Sequence, residues 1–72
     1  MQSLNQLFQN AMTVIEKAMK AGQTAVENPV AGQPARNDQP IYQEIYDELA
    51  KLGYQVESRP LSETETSYTV SW

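Results

Sequence analysis

Leu4, Leu7, Phe8, Ala11, Val14, Ile15, Ala18 and Met19 recur at three- and four-residue spacings and draw one apolar stripe along residues 4 to 21. The spacing predicts an amphipathic helix. Ser3 with Gln6 three residues later has the form of a capping box at its start. Lys17 and Lys20 stand in the last turns before Gly22, where a positive side chain meets the negative end of the helix dipole. A second stripe follows in PIYQEIYDELAKL, residues 40 to 52, with Ile41, Tyr42, Ile45, Tyr46, Leu49 and Leu52 on one side. Pro40 suits its first turn and Gly53 its stop, and Tyr54 would then pack back on Leu49.

From Tyr54 the period changes to two. Tyr54 and Val56 alternate with Gln55 and Glu57; after a turn around Ser62 to Thr64, Tyr68, Val70 and Trp72 alternate with Ser67, Thr69 and Ser71. This predicts a hairpin with one apolar face, its first strand at an edge or bulged near Pro60, which cannot donate to a ladder. Thr24, Ala25 and Val26 can add a short strand before Asn28 and Pro29 stop it. Between the halves, residues 28 to 40 carry Pro29, Pro34, Pro40 and Gly32 without periodicity and read as an irregular strap.

The expected fold is a single α+β domain over residues 1 to 72 in the order helix, strand, strap, helix, strand, strand. Two amphipathic helices would lie on one face of a three-stranded sheet whose central strand is the C-terminal one. Trp72 would join Tyr68 and Val70 on the covered face, tied down by sheet hydrogen bonds. The other face would be polar, lined by Gln55, Glu57, Arg59, Thr69 and Ser71.

Size makes such a core marginal, because a domain of 72 residues buries only about 60% of the surface its unfolded chain exposes. The chain has no Cys and no His, so disulfides and the usual soft-metal sites cannot reinforce it. Packing or association with other chains must. Five basic residues against nine acidic ones leave a net charge of −4, the wrong sign for neutralising phosphates, so no nucleic-acid partner is expected. The carboxylates are scattered among neutral residues, which suits a solvated surface rather than an acidic mimic of nucleic acid. A winged-helix reading of the second helix and hairpin meets the same objection, since Glu44, Asp47 and Glu48 face the single Lys51. MQSLNQLFQNAM has neither a basic start nor a continuous apolar run, so no signal peptide or membrane span is expected, and the location expected is the cytoplasm or an assembly built there.

Chemistry is equally sparse. Acid–base catalysis leans most on His, and nucleophilic catalysis on a Ser, Cys or Thr beside a base; no such constellation is visible. Glu44, Asp47 and Glu48 fall off the apolar stripe and read as a solvated face, not as a carboxylate pair or a hard-cation site. The three glycines are isolated, so there is no phosphate loop. A non-enzymatic protein without cofactor is expected. Three features remain for binding: the aromatic set Tyr42, Tyr46, Tyr54, Tyr68 and Trp72, better read as core; the strap; and the polar strand face. The candidate interaction positions are Pro29, Val30, Pro34, Ala35 and Arg36 in the strap, and Glu57, Arg59 and Thr69 on the strand face.

IEKAMKAGQTAV at 15 to 26, ELAKLGYQVE at 48 to 57 and the terminal TVSW at 69 to 72 together resemble small proteins of tailed bacteriophages, which often close a helix with Leu-Gly-Tyr and end in a hydrophobic residue followed by Ser-Trp. The resemblance covers about two-thirds of the chain and omits the strap. It implies a phage accessory protein and carries over no catalytic residue. Two roles follow as expectations. One is a minor component of the particle, such as a head decoration, vertex or head-to-tail adaptor protein, contacting phage structural proteins or copies of itself. The other is an early inhibitor of a host enzyme or defence component.

Overall fold

In the computed structural model, which describes residues 4–72, the chain runs α1 (Leu4–Lys20), β1 (Ala25–Glu27), β2 (Ala35–Arg36), α2 (Pro40–Lys51), β3 (Gln55–Pro60) and β4 (Glu65–Ser71). The architecture is α+β, with two helices and a four-stranded antiparallel sheet. Three strands were expected; the additional one, β2, lies inside the strap. Its two residues are too few to carry a period, and pairing with β4 rather than any local preference makes them a strand.

Both helices end as their glycines require. Gly22 and Gly53 take φ of 81° and 106°, a left-handed region that costs a residue without Cβ little. At α1 the Gly22 N–H bonds Met19 O and the Gln23 N–H bonds Ala18 O; at α2 Gly53 bonds Ala50 O and Tyr54 bonds Leu49 O. These paired bonds satisfy the last carbonyls of each helix. Pro40 opens α2, and Gln39 before it makes no side-chain cap. The capping position Ser3 lies outside the described residues.

Leu7, Ala11, Ile15 and Ala18 are the buried positions of α1; Ile45, Tyr46 and Leu49 are those of α2. All of these but Ala18 meet Val70 of β4 and Val30 of the strap in one cluster, so both helices cover the same side of the sheet. Ile15, Ile45, Leu49 and Val70 are fully buried, each stabilising by roughly 1.5–3 kcal/mol relative to exposure.

β4 pairs with every other strand. Opposite β3 it runs from Gln55↔Ser71 to Pro60↔Thr66; opposite β1 it pairs Ala25↔Ser71 to Glu27↔Thr69, and opposite β2 it pairs Ala35↔Thr66 and Arg36↔Glu65. A strand has only two edges, and β3 occupies one of them throughout. β1 and β2 therefore lie in line along the other edge, as one strand interrupted by residues 28–34.

Three contacts fix that interruption. Asn28, at φ 47°, donates its N–H to Tyr68 O (2.8 Å) and accepts the Tyr68 N–H on its side-chain Oδ1 (2.9 Å), so a side chain stands in for a ladder carbonyl. Val30 enters the core, where it joins buried Tyr46 in the same cluster. At the far end Asn37 donates its N–H to Thr64 O (2.8 Å) and Nδ2–H to Glu63 O (3.0 Å), and accepts the Thr66 hydroxyl on Oδ1 (2.7 Å). The strap is thus stitched to β4 and to the β3–β4 turn. Burial pushes the Tyr46 phenol up to about 12, against the smaller lowering effect of the nearby Val30 backbone.

The aromatic residues divide by depth. Tyr46 is buried and stacks on half-buried Tyr68, with ring centroids 4.0 Å apart. Trp72 departs from its expected place beneath the helices: it follows β4 and is 37% exposed at the rim. It is held there by its N–H to Thr24 O and Nε1–H to Gln23 O, both 3.1 Å, and by the edge of Tyr54. Its neighbours there, Thr24 and Tyr54, each lie one residue outside β1 and β3, so the indole sits at a corner of the sheet and stays partly exposed.

Candidate interaction surface

The antiparallel register settles which side chains share the face away from the helices. Val70 points into the core, so Glu65, Ser67, Thr69 and Ser71 point outward. Thr69 lies between Glu27 and Glu57, Ser71 between Ala25 and Gln55, Arg59 beside Ser67, and Arg36 beside Glu65. The result is a row of hydroxyls flanked by charges, with Glu27, Glu57, Arg59, Ser67 and Thr69 lining a shallow depression. No helix packs here among the described residues.

Hydrogen-bond phase determines what β3 offers at its outer edge. Leu61 N–H bonds Glu65 O (3.0 Å), which makes the odd-numbered residues of β3 those that exchange bonds with β4. The even-numbered residues of β4 turn the other way, as the bonds of Tyr68 to Asn28 and of Trp72 to Thr24 show. The N–H and C=O of Val56 and Ser58 therefore point away from the sheet, and among the described residues no strand pairs with them. Pro60 adds a carbonyl and no donor.

The candidate residues named from the sequence separate into two groups. Glu57, Arg59 and Thr69 come together on the open face. Pro29, Val30 and Ala35 are buried within the chain, Pro34 is half-buried, and Arg36 is exposed. Arg36 bonds Asp38 through Nε–H (3.2 Å), which raises the guanidinium above its ordinary value and holds the Asp38 carboxyl below its own. By contrast, Glu57 and Arg59 take part in none of the ion pairs among the described residues. Sequence reasoning placed these two on one face and, from Pro60, read their strand as an edge or bulged; β3 is an edge, pairing with β4 alone.

Hollows on the helix side include one beside α1 and β1, lined by Val14, Ala18 and Val26 among others, and two nearer α2. One, of about 290 Å³, sits beside the start of α2 and is lined by Tyr42, Gln43, Ser58, Thr66 and Tyr68 among others. The other, about 270 Å³, is apolar and lies between the helices at Leu4, Phe8 and Ile45. Among the described residues no cluster of acidic side chains could hold a metal ion, no buried side-chain nitrogen or oxygen lacks a partner, and no helix is long and apolar enough to cross a membrane. Comparison of the chain with protein-family models, curated proteins and solved structures finds no match.

Proposed function

We propose that this protein works without catalysis, through protein–protein contacts, as a minor structural component of a bacteriophage particle: a head decoration, a vertex protein or a head-to-tail adaptor. The observation that carries the contact role is the uncovered half of the sheet, a polar face joined to the unpaired edge of β3. In a chain this small, an uncovered sheet face and edge are surface that neighbouring chains can complete. The particle itself enters through the resemblance of residues 15–26, 48–57 and 69–72 to small tailed-phage proteins.

The net charge of −4 supports a protein partner over a nucleic acid. An epitope-tagged chain expressed during infection should band with purified particles in a density gradient at fixed stoichiometry. Absence from particles, together with one stoichiometric host protein in the pull-down, would replace this reading with inhibition of a host component.

A further inference from the structure

We propose that two copies of this chain pair antiparallel through the outer edges of β3, across a two-fold axis at Ser58, joining their sheets into one. This deepens the contact role above by naming one partner and its register, and so rests on that reading.

Register follows from which groups face outward. Bonds across the new edge must come from Val56, Ser58 and Pro60, so an outward-bonding residue must meet another outward-bonding one. With the axis at Ser58, the two Ser58 residues exchange both backbone bonds and each Val56 N–H donates to the partner's Pro60 O. Pro60 would have no N–H to give in any register, and here it supplies the acceptor only. Glu57 of each copy then falls directly opposite Arg59 of the other, twice by symmetry, on the open polar face. Moving the axis by one residue sets Glu57 against Glu57 or Arg59 against Arg59, and like charges directly opposite are unfavourable.

The charge pattern therefore selects one register out of the neighbouring ones, and both charges are available for it. Neither belongs to an ion pair of its own chain among the described residues. The edge leaves room for pairing: β3 is six residues long, its only proline is the last, and its two charges, Glu57 and Arg59, are those this register sets against each other. The pairing is isologous and closed, so it yields a dimer rather than a filament.

Sedimentation of the whole chain at rising concentration tests this. The wild type should pass from monomer to dimer, with association weakened by salt because the paired charges are exposed. Glu57→Arg and Arg59→Glu singly should each weaken dimerisation about tenfold or more, and the two together should restore it. Ser58→Cys, in a chain with no other Cys, should cross-link through position 58 under mild oxidation, since backbones in such a pair lie about 5.5 Å apart. Circular dichroism should be alike for all variants, because these side chains are exposed.

A wild type that stays monomeric at millimolar concentration would overturn the proposal. So would single reversals without effect, or a double reversal that fails to restore the dimer. A monomer that still bands with phage particles would sink this pairing alone and leave the particle reading standing.

Discussion

Tyr68 donates its backbone N–H to the side-chain oxygen of Asn28, 2.9 Å away, at the point where the strand beside β4 leaves the sheet. Asn is one of the few residues that both enters the left-handed region and offers an acceptor on a short side chain. Asn28→Ala loses both advantages and should destabilise by about 2–4 kcal/mol, combining a left-handed backbone penalty with an unpartnered Tyr68 N–H. Asn28→Gly keeps the backbone freedom and should cost less, while Asn28→Asp keeps the acceptor and should cost least. Urea denaturation of the series gives the order; a Gly variant as stable as the wild type would show that the bond contributes nothing.

Alkali should act on this protein through Tyr46. Its folded-state value of about 12 lies above the ordinary 10.0. The unfolded chain therefore begins to ionise first, while the folded chain holds the proton. The contribution is fully present below pH 10 and is lost as pH rises from about 10 to about 12, by up to about 2–3 kcal/mol. Tyr46→Phe removes the titrating hydroxyl, so it should hold its stability as pH rises past 10 and flatten the alkaline limb. Unfolding free energies measured from pH 7 to 12 check both effects.

Gly53 owes its identity to its backbone alone. A Cβ there would meet nothing within 4 Å, yet φ is 106°. Gly53→Ala should cost about 1–2 kcal/mol without any steric clash. An unchanged melting temperature would mean that the end of α2 relaxes freely.

Trp72 can be separated into its two contacts. Trp72→Phe keeps a ring against Tyr54 but removes the Nε1–H bond to Gln23 O, whereas Trp72→Ala removes both. Losses of about 1 and about 2 kcal/mol are expected. As the only tryptophan, it also reports on itself: acrylamide should quench the native fluorescence less than that of the unfolded chain.

The helices were legible because Leu7, Ala11, Ile15 and Ala18, and Ile45, Tyr46 and Leu49, repeat on one side, and because a glycine follows each. The alternation of Tyr68 and Val70 with Ser67 and Thr69 made the open polar face readable too. The strap was not legible. Asn28 acts there through a side chain imitating backbone, Asn37 through bonds to residues 63, 64 and 66, and Val30 as a lone apolar residue that happens to reach the core. None of these leaves a period. Trp72 misled for a related reason: alternation assigns a side of the sheet, but depth depends on whether neighbouring strands extend that far.

Every ladder bond in the sheet has β4 on one side. During synthesis, β1, β2 and β3 must therefore wait without partners until residues 65–71 have cleared the ribosome tunnel, and the helices can at most gather loosely before then. Assembly of the sheet is a single late event, and an interrupted translation product stopping before Glu65 would present waiting strands to chaperones and proteases instead of a partly built domain.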